Sequence, residues 1–224
     1  MESPTSTAIK ICGITNSNQA KAIAALGVYA IGVIGVKSSP RYLQDLKRSR
    51  LFADMKTFAP KLELVWVIAD FSDDQIAKAL EGNGAPTIIQ LHGSESPNRC
   101  TELRKKYPNI KWWKAIRINT ALEIKKAHQY EPYVDALLLD AWSPKELGGT
   151  GKRASLDLLK TETFKIPWWL AGGISADWIP EIFSHGIQPF GIDASSRLEN
   201  CPGEKDLTKV SDLIKSVKNA TTQN

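Results

Sequence analysis

A thiol and a carboxyl group each stand where an apolar run breaks off. Cys12 closes the run Ile9-Lys10-Ile11-Cys12 ahead of Gly13, and Asp140 closes Leu137-Leu138-Leu139-Asp140. A thiolate can take a proton and a carboxylic acid can give one, so the two are a candidate acid–base pair. Arg41, in Ser38-Ser39-Pro40-Arg41-Tyr42, carries a planar guanidinium able to grip a carboxylate through two bonds, unless it is an ordinary surface arginine. Gln90 and His92 either contact a substrate or satisfy one another. Gly172-Gly173 and Ser195-Ser196 suit a phosphate held by exposed backbone N–H groups, with a pair of tight turns as the plainer alternative.

These residues form a site only if the fold gathers them. Eight short apolar runs recur along the chain, at 8–14, 30–36, 62–70, 87–93, 111–118, 135–142, 167–174 and 188–195. Most are separated by stretches of helical period; in 18–26, for instance, Ala22, Ile23 and Leu26 can share a face. Strands alternating with helices mean crossover connections and a parallel sheet. Parallel strands are covered on both faces, which accounts for Leu137-Leu138-Leu139 and for the tryptophan pairs at 112–113 and 168–169. Eight such units predict an α/β fold, a single-domain (β/α)8 TIM barrel over 8–220 behind a flexible extension at 1–7. An open dinucleotide-binding sheet is disfavoured, because Cys12-Gly13-Ile14-Thr15-Asn16 lacks the G-x-G-x-x-G turn.

In a barrel the chemistry sits at the C-terminal strand ends. That rim would gather Cys12, the loop 37–41, Asp70, Gln90, His92, Arg117, Asp140, Gly172, Gly173, Asp193, Ser195 and Ser196. The run Gly148-Gly149-Thr150-Gly151-Lys152 fails the nucleotide-loop pattern, with Glu146 in place of its first glycine and Arg153 in place of Ser/Thr. It reads instead as a mobile lid within 142–153.

Composition narrows the function further. Three cysteines and three histidines, scattered, support neither a disulfide framework nor a zinc site; Cys100 and Cys201 read as small buried hydrophobes. The formal charge of +5 suits an anionic substrate. The basic clusters Lys47-Arg48-Arg50, Arg104-Lys105-Lys106 and Lys125-Lys126 are interleaved with acids, as on solvated helix faces, so no nucleic-acid partner is expected. No apolar run is long enough to span a membrane and the N-terminus has no targeting character, so a cytoplasmic protein is expected.

Six motifs, KICGIT, SPRY, QLHGSE, LLLDAWSPKELGGTGK, LAGGI and GIDASSRLENCPGEKD, occur in order from residue 9 to about 206. Together they resemble the phosphoribosylanthranilate isomerases, the aldose–ketose isomerases of tryptophan biosynthesis. The resemblance implies an Amadori rearrangement of N-(5-phosphoribosyl)anthranilate without cofactor or metal. In it Asp140 would be the acid, Cys12 the base and Arg41 the holder of the anthranilate carboxylate. It also implies phosphate on the backbone of Gly172, Gly173, Ser195 and Ser196, with Asp193 near the sugar hydroxyls; Gln90 and His92 stay candidate substrate-binding residues by their strand-end position. Its partner is the phosphorylated anthranilate–ribose substrate, with no nucleic acid and no membrane, in a monomer or homodimer. Two departures stand out: Gly35-Val36-Lys37 replaces an aromatic- and proline-bearing loop, and Arg197 follows the serine pair where glycine is common.

Overall fold

Alternation along a strand sends successive side chains to opposite faces, and this chain uses both faces everywhere. Strand β1 (Ala8–Cys12) packs Ile9 and Ile11 outward against helices and turns Ala8 and Cys12 into the barrel. The tryptophan pairs divide the same way: Trp112 and Trp168 face the helices, Trp113 and Trp169 the interior. The computed structural model describes residues 7–141 and 156–222. The extension expected at 1–7, Thr7 excepted, and the lid expected within 142–153, Trp142 to Arg153, lie outside the described residues.

Seven further strands follow: β2 (Ala30–Ile34), β3 (Glu63–Ile68), β4 (Ile88–Leu91), β5 (Lys111–Arg117), β6 (Ala136–Asp140), β7 (Trp168–Ala171) and β8 (Gly191–Ala194). All pair in parallel in chain order, and β8 returns to β1 to close the barrel. The eight runs read from sequence are these eight strands. Around them lie α1 (Ser17–Ala25), α2 (Asp45–Phe58), α3 (Asp73–Ala79), α4 (Pro97–Lys106), α5 (Ala121–Tyr130), α6 (Leu156–Leu159), α7 (Ile179–Ser184) and α8 (Leu207–Thr222). Polar residues start several of these helices: Asn16 accepts the N–H of Gln19, Ser96 that of Arg99, and Ser72 exchanges bonds with Gln75 in a capping box.

The barrel floor is aromatic. Trp113 and Trp169 lie 4.8 Å apart, and Tyr29 and Phe190 close on Trp169 at 5.6 Å each. A Cβ on Gly191 would come within 2.4 Å of the Trp169 ring, so the absence of a side chain there makes room for the plug. With this end filled, the open end is the C-terminal one.

Four details depart from the sequence reading. Arg48 is not on a solvated face but fully buried. It sits in the stripe Arg48, Leu51, Phe52, Met55, its guanidinium 5.0 Å from the Trp66 ring and bonded to the carbonyl of Gly84 at 2.7 Å and to Asp45. Cys201 is exposed, because it belongs to a small antiparallel pair, β9 (Glu199–Cys201) with β10 (Glu204–Lys205), outside the barrel core. That pair is an element the sequence reading did not contain. Finally, Ile23 of α1 is buried and Leu26 packs against the core as expected, but the buried alanine is Ala20 and not Ala22.

Candidate active site

Register brings the site together. In the parallel pairing of β1 with its neighbours, Lys10 lies opposite Asp193 of β8 and Cys12 opposite Gly32 of β2. The Lys10 ammonium, with no solvent exposure, donates to Asp193 Oδ1 at 2.8 Å, and the Lys10 stem and the Cys12 sulfur lie side by side over Gly32. Gly32 makes this arrangement fit: a Cβ there would meet Cys12 Sγ at 2.7 Å and Lys10 Cε at 3.2 Å.

Burial pushes the Cys12 thiol above its ordinary value, Asp193 adds to that, and Lys10 and Lys205 pull it down. Burial also works against the charge on Lys10, but Asp193 and Cys12 outweigh it and keep the ammonium protonated. For Asp193, burial lifts the carboxyl against the pull of Lys10, and Asp140 nearby lifts it further. By contrast, burial carries Cys100 up to about 11, which fits an inert core thiol.

A second cluster surrounds Gly13, whose φ of +79° suits glycine. A Cβ at this position would meet Arg41 Cδ at 2.6 Å and Ser195 Oγ at 3.1 Å. The Ser195 hydroxyl donates to the carbonyl of Cys12 at 3.0 Å. The guanidinium of Arg41 already grips a carboxylate, that of Glu199, through Nε at 2.8 Å and Nη2 at 2.6 Å. Glu199 further accepts from Lys205 Nζ at 2.6 Å and from the Gly203 N–H at 3.1 Å. Burial opposes the Glu199 charge, yet the bonds from Arg41 and Lys205 hold its carboxyl below the usual value. Glu199, Lys205 and Lys10 are the residues sequence reasoning missed. Lys10 had a usable signal, since it stands two residues before Cys12 on the same strand face; the other two lie in the unanticipated β9–β10 pair.

The remaining sequence-predicted residues stand around the same mouth. Asp140 is the last residue of β6 and pairs with Arg117 of β5 and Ala171 of β7. Gln90 points inward from β4, buried, with Oε1 lacking a hydrogen-bond partner among the described residues. His92 follows on the rim. Desolvation in the concave mouth, then the cations Lys10, Lys114 and Arg117, hold its imidazole below the usual value against Asp193, so it is mainly neutral at pH 7. Beside it a pocket of about 400 Å³ opens, lined by His92, Lys114, Arg117, Lys126 and Tyr130 among others.

Gly172 and Gly173 follow β7 with φ of +104° and +67°, a turn that glycine adopts readily. Ser195 and Ser196 follow β8, with Ser196 and Arg197 exposed. Asp70, also on the rim, serves structure: Ser94 donates to it through N–H and hydroxyl, and its own N–H donates to Glu95, which pairs with buried Lys114 at 2.9 Å. The space over Gly35, in the departing loop, is taken by Trp66, whose Nε1 would lie 2.5 Å from a Cβ there. Among the described residues no group of three His, Cys, Asp or Glu side chains is placed to hold a metal ion. No helix among them is long and apolar enough to cross a membrane.

This arrangement can do acid–base chemistry on a small anion, with a thiol and a carboxyl at strand ends of one mouth and basic groups around it. Comparison with known proteins shows the family. Residues 9–216 match the family model described as N-(5'phosphoribosyl)anthranilate (PRA) isomerase. An N-(5'-phosphoribosyl)anthranilate isomerase of Nostoc punctiforme is 42% identical over 209 residues, which is 93% of this chain and 97% of that protein. The crystal structure of phosphoribosyl anthranilate isomerase from Thermotoga maritima superposes with a TM-score of 0.83 at 27% identity, covering 95% of this chain and 99% of the other. Another isomerase structure, in complex with reduced 1-(o-carboxyphenylamino)-1-deoxyribulose 5-phosphate, superposes at 0.77 and 25% identity over 95% and 99%.

Proposed function

The chain belongs to the N-(5'-phosphoribosyl)anthranilate isomerase family, and from that premise we propose how its residues carry out the reaction. The enzyme is an aldose–ketose isomerase of tryptophan biosynthesis, converting N-(5-phosphoribosyl)anthranilate to 1-(2-carboxyphenylamino)-1-deoxyribulose 5-phosphate. Asp140 gives a proton to the furanose ring oxygen. The C1–O bond breaks as the nitrogen lone pair forms C1=N, leaving an open-chain protonated Schiff base. The Cys12 thiolate then removes the C2 proton. An S–H bond forms, the C2–H pair becomes C1=C2, and the C1=N pair returns to nitrogen. The enolamine takes a proton at C1 and loses its hydroxyl proton to give the ketone.

Arg41 receives the anthranilate carboxylate through Nη1, since Glu199 occupies Nε and Nη2. The backbone around Gly172, Gly173, Ser195 and Ser196 takes the phosphate. Asp193, Gln90 and His92 meet the sugar and its hydroxyls; the buried Gln90 Oε1 is an acceptor in need of a donor such as a hydroxyl. The observation that carries this reading is the placement of Cys12 at the C-terminal end of β1, beside the stem of the buried Lys10 and next to Gly13, over which the Arg41 stem lies.

We place the enzyme in the cytoplasm as a monomer or homodimer. Sedimentation of the purified chain reads the oligomeric state. Expression in a tryptophan auxotroph lacking this isomerase tests the function: wild type should restore growth without tryptophan and Cys12→Ala should not. Failure of well-expressed wild type to rescue would contradict it.

A further inference from the structure

A base that must be a thiolate sits in a place that penalises a thiolate. Cys12 is 6% exposed, and burial is the largest influence on it. What opposes that penalty stands two residues earlier on the same strand. Lys10 carries the same face of β1, is wholly buried, and has no role in the proton transfers themselves. An ammonium is not left in a barrel interior without purpose, because burying a charge is costly unless it is paired. Lys10 hydrogen-bonds Asp193 at 2.8 Å, and its stem lies beside the Cys12 sulfur over Gly32.

We propose that Lys10 is a positioning residue for the catalytic base: anchored by Asp193, its ammonium stands beside the Cys12 sulfur and favours the thiolate against burial, and the bare backbone of Gly32 leaves room for the two side chains to lie together. This rests on the assignment of Cys12 as base. Asp193 fixes the ammonium head from β8, so that Lys10 cannot retract along its flexible stem. Gly32 supplies space from β2, since a Cβ there would collide with Cys12 Sγ at 2.7 Å and crowd Lys10 Cε at 3.2 Å. The other charged groups facing this cluster act around it. Lys205 adds to the stabilisation of the thiolate, Arg41 interacts with it favourably, His92 couples to Lys10 and Asp193, and Asp140 acts on Asp193. Of the groups favouring the thiolate, Lys10 is the strongest.

If Lys10 merely neutralised Asp193, its loss would affect folding but not the titration of the thiol. The test therefore follows the thiolate directly, by its ultraviolet absorbance against pH in a Cys201→Ser background, with Cys12→Ala subtracted. Lys10→Gln should raise the titration midpoint of Cys12 by about one pH unit or more and move the acid limb of kcat/KM by the same amount. Lys10→Arg, which keeps the charge, should restore most of the shift. Should Lys10→Gln fail to fold, Lys10→Met/Asp193→Asn leaves no buried unpaired carboxylate. It should still raise the midpoint, because the Lys10 stem lies beside Cys12 Sγ over Gly32, whereas Asp193 reaches the cluster from β8 through the Lys10 ammonium. An unchanged midpoint in a folded Lys10→Gln or in the double variant overturns the proposal. It does so even if Cys12→Ala is inactive, and an active Cys12→Ala would instead overturn the assignment of the base.

Discussion

At the scale of single residues, the site is a set of charges balanced inside a barrel. Arg41 is already half satisfied by Glu199, so its free edge sets what a substrate carboxylate can gain. A bond to a charged group contributes about 1.5–3 kcal/mol, so Arg41→Ala should raise KM by about 10- to 100-fold while changing kcat less. A substrate analogue lacking the carboxylate should be indifferent to the substitution; equal losses for both substrates would refute the contact. Glu199 keeps Lys205 and the Gly203 N–H in this variant and is not left unpaired. Cys12, Asp140 and Arg41 were legible in sequence because each ends a strand or follows one. Lys10 was passed over because an isolated lysine between isoleucines reads as an interruption, although a two-residue spacing from Cys12 puts both on one face. Glu199 was invisible as a partner, since nothing local ties it to a residue 158 positions earlier.

Elements are joined by polar staples that periodicity does not announce. His128, in the last turn of α5, bonds Glu131 through Nδ1 at 2.5 Å and Glu162 through Nε2 at 2.9 Å, and stacks on Phe164 with centroids 4.5 Å apart. A ring with a carboxylate at each nitrogen donates twice, which only imidazolium can do. Burial resists that charge, but the bonds to Glu162 and Glu131 hold the pKa above its ordinary value. A folded-state value above the unfolded one gives stabilisation that is complete below about pH 6.5 and fades as pH rises through the folded value. His128→Gln should therefore lower Tm most at about pH 6, with the deficit shrinking toward about pH 9. A deficit constant over that range would contradict the staple. Arg48 shows the opposite limit of sequence reading: its charge points to solvent, its place in the 48, 51, 52, 55 stripe points to the core, and the stripe prevails.

For the whole molecule, function depends on one end of the barrel being sealed and the other open. Trp169→Ala should remove the centre of the aromatic floor and cost about 3–5 kcal/mol of stability. Below its melting temperature it should leave kcat within a few-fold, because the floor lies at the opposite end from Cys12 and Asp140; a kcat collapse in a folded variant would show that the two ends are coupled. All eight strands were readable, since strands buried on both faces announce themselves as apolar runs. What escaped was β9–β10, too short and polar to stand out. The central claim is that this barrel isomerises through Cys12 as base and Asp140 as acid. Its most direct test is the conversion of N-(5-phosphoribosyl)anthranilate by purified protein in heavy water, followed by NMR. Wild type should form the aminoketone with deuterium entering at C1, and folded Cys12→Ala and Asp140→Asn should each be slower by about 100- to 10,000-fold. Turnover by either variant at near the wild-type rate would contradict the account.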